Sequence, residues 1–111
     1  MKYYIIAGEA SGDLHGSNLI KEIKKLDKNS EFRCWGGDLI KEQCGDLVKH
    51  YKDYSYMGFF EVFKNIFKIL NNISFCKKDI IRYKPDVIIY VDFPGFNMRI
   101  ARWAKSKNFT N

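Results

Sequence analysis

The sequence has few of the cysteine and histidine residues that form disulfides or bind zinc in small proteins. Its three cysteines are widely spaced and form no C-x-x-C pair, and its two histidines are not at ligand spacing to them. This pattern argues against a disulfide framework and against a zinc site. We therefore expect reduced cysteines, as in a cytoplasmic protein, and no bound metal.

Long apolar runs are also missing. No run approaches the roughly 20 residues that a membrane-spanning helix needs. The opening MKYYIIAGEA has too short an apolar stretch for a signal peptide. We expect neither a membrane-spanning segment nor a secretory leader in this sequence.

Acidic residues are scarce in the second half of the chain. Residues 1–58 hold nine Lys or Arg and nine Asp or Glu, whereas residues 59–84 hold six basic and two acidic side chains. Residues 99–107 hold four basic side chains and no acidic one. The net charge of +6 therefore predicts an anionic partner for this half, such as a phosphate or membrane headgroups. We expect no nucleic acid, because the aromatic residues lie on an apolar arc and are not interleaved with basic ones.

Apolar segments alternate with segments of helical period along the chain. Strands are predicted at 3–7, 32–35, 46–51 and 86–92, and helices at 11–26, 38–45, 58–84 (interrupted near NNIS) and 97–107. This alternation predicts an α/β fold with a Rossmann-like parallel sheet, of order 3-2-1-4, with helices on both faces. Because the sequence stops where such a domain would begin its next strand, we expect it to be part of a longer protein.

The long helix predicted over 58–84 begins with a run of phenylalanines. Its apolar residues cover about half of a helical wheel, while a helix packed on a sheet needs a stripe little more than 100° wide. The surplus suits a helix that lies in a membrane interface, and the alternative is a core helix covered by other parts of the protein. The residues predicted to contact the membrane are Phe59, Phe60, Phe63, Phe67, Lys64 and Lys68.

The loop AGEASGD follows the first strand. In an open parallel sheet, ligands bind beyond the carboxyl ends of the strands, where the strand order reverses. Gly8 and Gly12 would allow tight turns, and Ser11 would cap the next helix, whose amino terminus attracts anions. Glu9 and Asp13 would repel a polyphosphate, which favours a hydroxyl-rich ligand such as a sugar. The alternative is a plain turn with a capping serine.

The stretch DVIIYVDFPGFN places an acid directly after an apolar strand. We expect Asp92, between Val91 and Phe93, to be partly desolvated, which suits a general base. The alternative is that Asp92 caps the last helix or holds the neighbouring loop. Asn97 is predicted either to cap that helix or to hydrogen-bond a sugar.

Four motifs in this order resemble one known family. They are AGEASGDLHGSNLI, GG after the second strand, YSYMGFFEV and KPDVIIYVDFPGFN, and together they are similar to the amino-terminal part of lipid-A-disaccharide synthase. That family has a two-domain GT-B glycosyltransferase fold. The resemblance implies that residues 1–111 form most of its amino-terminal, acceptor-binding domain. The carboxyl-terminal UDP-sugar domain would lie outside this sequence, so residues 1–111 alone would be inactive. Their uncovered fourth strand and phenylalanine-rich helix should also favour self-association.

The resemblance also implies a reaction. The family joins UDP-2,3-diacylglucosamine to 2,3-diacylglucosamine 1-phosphate with inversion, giving a β-1′,6 disaccharide and UDP, and no cofactor is implied. Asp92 matches the aspartate of the motif D-x-P-x-F-N, which takes the acceptor's proton, although many members carry a second carboxylate where this chain has Gly95. The implied location is the cytoplasmic side of the inner membrane of a Gram-negative bacterium, as a peripheral protein. The residues expected to bind the acceptor are Gly8, Glu9, Ser11, Gly12, Asp13 and Asn97.

Two other functions are compatible with the sequence. Another GT-B sugar-nucleotide enzyme would use the same half-fold but would not need the phenylalanine-rich helix. A non-catalytic flavodoxin-like binding module would usually gather several acids after the first strand, where this chain has Glu9 and Asp13.

Overall fold

A computed structural model describes residues 1–56 and 58–107. Met57, in the motif YSYMGFFEV, and residues 108–111, in the final KNFTN, lie outside the described residues. The elements of the described part are β1 (Lys2–Ala7), α1 (Ala10–Leu26), β2 (Glu31–Gly36), α2 (Asp38–Cys44), β3 (Lys49–His50), a 3₁₀ turn (Tyr51–Asp53), α3 (Phe59–Lys64), α4 (Ile66–Tyr83), β4 (Val87–Val91) and α5 (Pro94–Ser106).

The strands form a parallel sheet of order β3-β2-β1-β4, which confirms the predicted order. β1 is paired with β2 on one side and with β4 on the other, and Ala7 lies opposite Val91 where β1 and β4 end. A strand in this position is covered on both faces by crossover helices. Because both faces of β1 are covered, its sequence is apolar without polar alternation.

Helices cover both faces of the sheet, as predicted. Successive side chains of a strand point to opposite faces. Tyr4 and Ile6 lie in one apolar cluster with residues of α4 and α5, and Ile5 and Ala7 lie in a second cluster with residues of α1 and α2. All four are 0% exposed. Fully burying an isoleucine side chain contributes roughly 1.5–3 kcal/mol, so β1 stabilises both layers.

A polar network crosses the cluster under α4. The Tyr4 hydroxyl accepts a hydrogen bond from Trp35 Nε1 (2.7 Å) and donates one to Asp79 Oδ2 (2.7 Å). The Arg33 guanidinium donates to both oxygens of Asp79, from Nε (2.6 Å) and Nη2 (2.7 Å). Asp79 is 3% exposed, and a buried carboxylate is tolerated only when it is paired in this way. The same carboxylate raises the pKa of Arg33.

Several element boundaries differ from the predicted ones. The long helical region breaks at Asn65 and not near residues 71–74, since Asn65 leaves helical geometry (φ −109°, ψ 21°). Its side-chain amide donates to the Glu61 carbonyl (2.9 Å), a bond that competes with the helix. The third strand is reduced to Lys49–His50. The last helix begins at Pro94, three residues before Asn97, because proline suits the first helical position.

Candidate functional site

The loops that follow β1 and β4 leave the sheet side by side. Ala7 and Val91 are paired, and the residues that follow them, Gly8 and Asp92, line one cavity of about 370 Å³. It lies at the carboxyl ends of the strands, where open parallel sheets bind ligands. We call it the site cavity, and its lining residues are Gly8, Glu9, Ser55, Tyr56, Asp92, Phe93 and Pro94.

The carboxylate of Asp92 lines this cavity. The side chain is exposed, so the predicted desolvation by Val91 and Phe93 is wrong. Among the described residues the carboxylate has no hydrogen-bond or ion-pair partner. It does not cap α5 either, because Phe93 occupies the capping position and no side-chain bond forms there. The carboxylate is therefore free to interact with a ligand.

The backbone that holds Asp92 is strained. Asp92 and Phe93 both adopt the left-handed conformation, with φ of 52° and 56°. A residue with a side chain pays of order 1–3 kcal/mol there, although aspartate tolerates it better than most. Such conformations cluster at functional sites. Here two of them in succession turn the chain from β4 into α5 and leave Asp92 in the cavity wall.

Gly8 lies in the two-residue connection between β1 and α1, and glycine is required there for space and not for the left-handed conformation. Its φ is outside the left-handed range, but a Cβ at this position would lie 2.1 Å from Cγ of Phe93. The Phe93 ring stacks on Phe96, with centroids 5.1 Å apart, and contacts the ring of Tyr54 at 5.7 Å. This stack holds the loop of Asp92 against the loop of β1.

Asp13 lies outside the wall of the site cavity and has a structural role. It is 4% exposed. Its Oδ1 accepts hydrogen bonds from the amides of Gly37 (2.8 Å) and Ile40 (2.9 Å), and its Oδ2 accepts one from Leu39 (3.0 Å). These amides open α2, so the carboxylate caps that helix from α1 and complements its dipole. Its position does not support the predicted contact with the acceptor.

The prediction that Ser11 caps α1 is wrong, because the helix begins at Ala10 and Glu9 occupies the capping position, two residues earlier. The Ser11 hydroxyl donates instead to Glu9 Oε1 (3.2 Å). Gly12 is buried, and a Cβ there would lie 3.4 Å from the Val91 carbonyl oxygen, so it permits close packing of α1 on β4. Ser11 and Glu9 line a second cavity of about 440 Å³, which shares Glu9 and Ser55 with the site cavity.

Asn97 lies beneath the second loop and not in the cavity wall. It is 4% exposed, and its Nδ2 donates to the carbonyls of Ile6 (3.2 Å) and Asp92 (2.6 Å). The predicted helix cap is wrong, since α5 already begins at Pro94. The amide ties the end of β1 to the strained loop, while its Oδ1 has no partner among the described residues.

Ser55 and Tyr56 complete the site cavity but were not predicted from the sequence. They lie between the 3₁₀ turn and α3, in a segment without periodicity, and only the motif YSYMGFFEV drew attention to it. Together with Glu9 and Asp92 they supply two carboxylates and two hydroxyls, a set that suits a hydroxyl-rich ligand. Within the described residues, no three His, Cys, Asp or Glu side chains come together as a metal site requires.

The phenylalanines of α3 and α4 are exposed. The phenylalanine surface consists of Phe59, Phe60, Phe63 and Phe67, with the exposed Lys64 and Lys68 beside it. The four rings are between 73% and 90% exposed. At this exposure the rings are not part of the core in this structure. Grouped exposed apolar side chains are typical of an interaction surface. None of the described helices combines the length and apolar character needed to pass through a bilayer.

Comparisons with known proteins agree with one another. The family model described as "Lipid-A-disaccharide synthetase" matches residues 3–111. The lipid-A-disaccharide synthases of Geobacter metallireducens, Rickettsia bellii and Xanthomonas oryzae pv. oryzae are 39%, 41% and 33% identical to the chain over 101, 102 and 106 residues. These matches cover 91%, 90% and 96% of this chain but 26%, 26% and 24% of the relatives, so the chain spans about a quarter of their length. The chain belongs to the lipid-A-disaccharide synthetase family.

Proposed function

We propose that this chain is the acceptor-binding, amino-terminal domain of an inverting glycosyltransferase of lipid A biosynthesis. The enzyme transfers 2,3-diacylglucosamine from UDP to the 6-hydroxyl of 2,3-diacylglucosamine 1-phosphate and releases UDP. Family membership supports the reaction. The relatives are about four times as long as the chain, and the UDP-sugar site would lie in the part of the enzyme that this chain does not include.

The proposed chemistry is a single displacement. The oxygen of the acceptor's 6-hydroxyl attacks the anomeric carbon of the donor while the bond from that carbon to the phosphate oxygen of UDP breaks. The hydroxyl proton passes to the carboxylate of Asp92. General-base catalysis of this kind contributes about 10²–10⁴-fold to the rate. Glu9, Ser55 and Tyr56, which share the cavity with Asp92, would bind the remaining hydroxyls of the acceptor sugar.

One observation carries this assignment: Asp92 is an exposed carboxylate without a partner among the described residues, held in the cavity wall by strained backbone. A carboxylate with a structural task has partners, as Asp13 has in its three amides. Backbone strain at a residue whose side chain has no structural partner among the described residues supports a functional task for that side chain.

The experiment is Asp92→Asn in the natural protein that contains this chain. Asparagine keeps the shape and one oxygen acceptor but cannot take the proton, so kcat should fall by about 10²–10⁴-fold. The acceptor KM should stay within about twofold, since the ground-state contact survives. The matched control is Asp53→Asn, another exposed carboxylate, which should leave kcat unchanged. A folded Asp92→Asn enzyme with normal kcat would exclude Asp92 as the base.

We also propose that the phenylalanine surface rests on the cytoplasmic face of the inner membrane, where the lipid substrates reside. The exposure of its four rings supports this contact. Lysines near an anionic bilayer contribute about 1 kcal/mol each, and Lys64 and Lys68 flank the rings. Self-association is the competing use of an exposed apolar surface.

A further inference from the structure

An apolar cleft of about 320 Å³ adjoins the site cavity. It lies between α3 and α4 on one side and the start of α5 on the other, and Tyr56 and Phe93 line both the cleft and the site cavity. Small-molecule sites have volumes of roughly 300–1,000 Å³, with an apolar lining and a few polar groups. The cleft meets this description, and it borders the cavity that Asp92 lines.

The cleft runs from the surface into the core. On its outer side Leu70 is 44% exposed and Ile66 is 38% exposed, whereas Ile73 (6%) and Phe96 (4%) form its buried floor. A chain that enters past the first pair and reaches the second loses its contact with water progressively. This graded exposure suits an apolar group that enters the cleft from solvent and becomes buried along its length.

Arg99 supplies the charge among the described residues that line the cleft. The side chain is exposed, and its guanidinium has no hydrogen-bond or ion-pair partner among the described residues. A guanidinium binds phosphate with two parallel hydrogen bonds. At 1.5 Å per residue, Arg99 stands about 7.5 Å along α5 from Pro94, which lines the site cavity. This separation is comparable to the size of a sugar ring.

We propose that the cleft binds one acyl chain of the acceptor lipid and that Arg99 binds the phosphate of the same molecule. This inference rests on the proposed function and specifies how the acceptor is held. Three features fit one amphipathic anion: an apolar cleft, a cation at it that has no partner among the described residues, and two lining residues shared with the cavity of Asp92. The phenylalanine surface would then contact the bilayer from which the chain is drawn, because α3 and α4 also form one side of the cleft.

The first test measures binding of single-chain alkyl phosphates, from octyl to tetradecyl, below their micelle concentrations. Calorimetry with the natural protein should show affinity that rises about fourfold per added methylene until the cleft is filled. Beyond that length the affinity should level off. A rise without a plateau would mean partition onto an open surface such as the phenylalanine surface, and it would overturn the proposal.

The second test fills the cleft. Gly95 lines it, and a Cβ built there meets no atom within 4 Å, so Gly95→Phe should be tolerated and should occupy the space. Dodecyl phosphate should bind at least about tenfold more weakly, the loss that removing two buried methylenes would cause. The matched control is Met98→Phe, at a 53% exposed position of the same helix outside the lining, and its affinity should not change. Unchanged binding by a folded Gly95→Phe protein would overturn the proposal.

The third test isolates the phosphate contact by comparing Arg99→Gln with Arg102→Gln, both exposed on α5. Arg99→Gln should weaken dodecyl phosphate binding about tenfold, and Arg102→Gln less than twofold. Binding of the uncharged dodecyl maltoside should be the same in both. Equal losses of dodecyl phosphate binding would reflect the general positive field and would remove Arg99 from the site. These measurements need no turnover, so a failure of the Asp92 proposal would leave their result intact.

Discussion

The ring of Phe93 lies against the α-carbon of Gly8, so close that a methyl group at residue 8 would come within 2.1 Å of its Cγ. Residue 8 follows β1 and residue 93 follows β4, so this contact fixes the separation of the two loops that form the site cavity. Phe93 is itself held by its left-handed backbone and by the ring of Phe96. The geometry around Asp92 therefore depends on a contact that neither loop shows by itself.

Gly8→Ala should destabilise the fold by about 1–3 kcal/mol, because the added methyl displaces a packed ring. Urea unfolding measures the change. Gly95→Ala is the control: its Cβ meets nothing, and alanine in a helix should raise the free energy of unfolding by about 0.5–1 kcal/mol. Phe93→Ala should cost less in the Gly8→Ala background than in the wild type. Additive costs would show that the two residues are not coupled.

Asp92→Gly should raise the free energy of unfolding by about 1 kcal/mol, because glycine adopts a φ of 52° without strain. Turnover should nevertheless fall as it does for Asp92→Asn. Lys84→Gly is a matched control, since Lys84 is also exposed and left-handed (φ 56°). It should gain similar stability with normal turnover. Loss of stability in Asp92→Gly would mean that the carboxylate has a structural partner.

Asp13→Asn should lower the free energy of unfolding by about 1–2 kcal/mol, since the amides of Gly37, Leu39 and Ile40 then share one neutral oxygen. The acceptor KM should stay unchanged, because Asp13 is not in the wall of the site cavity. Thermal unfolding and steady-state kinetics check the two parts. Asp53→Asn, at an exposed position, should change stability by less than about 0.5 kcal/mol. A raised acceptor KM with normal stability would restore the contact predicted from the sequence.

Replacing Phe60, Phe63 and Phe67 with serine should release the natural protein from anionic phospholipid vesicles in a sedimentation assay. The rings are 73–79% exposed, so stability should change little, and activity on detergent-dispersed substrate should be largely kept. A single-site comparison is Phe59→Ser against Leu26→Ser, both at 90% exposed positions, of which only the first should weaken binding. Unfolding of the triple variant would show that these rings are covered in the whole protein. If the triple variant lost the ability to form oligomers but still bound vesicles, the phenylalanine surface would serve self-association and not membrane binding.

Tyr90→Phe should stabilise the protein and reduce its loss of stability in alkali. The Tyr90 hydroxyl is buried without a partner among the described residues, and burial raises its pKa to about 12. The unfolded chain loses this proton near pH 10, whereas the folded protein keeps it up to about pH 12. The stability of the wild type is therefore independent of this ionisation below pH 10 and falls as the pH rises toward about 12. Urea unfolding at pH 7 should give Tyr90→Phe a free energy of unfolding about 1 kcal/mol above that of the wild type. Between pH 7 and pH 10.5 that free energy should fall less in the variant than in the wild type. Tyr4→Phe should instead lower the free energy of unfolding at pH 7, because the Tyr4 hydroxyl is hydrogen-bonded to Trp35 and Asp79.

The sequence by itself determined the order and type of the elements, the parallel sheet and its strand order. Apolar runs and helical periods are set by residues close together in the chain, and the crossover rules for parallel strands leave few arrangements of them. It also determined that the loops of Glu9 and Asp92 lie together, because the carboxyl ends of neighbouring parallel strands share one edge of the sheet. The family resemblance rested on the same local motifs.

Only the tertiary structure decided which acids are free. Glu9, Asp13 and Asp92 all lie within six residues of a strand end, but the Asp13 carboxylate is buried and accepts hydrogen bonds from amides 24 to 27 residues away, whereas the Asp92 carboxylate has no partner among the described residues. The reason for a glycine at position 8 is a ring 85 residues further along the chain. Ser55 and Tyr56 reach the cavity through a segment without periodicity. Hydrogen-bond partners and steric contacts come from residues distant in sequence, and no local pattern carries them.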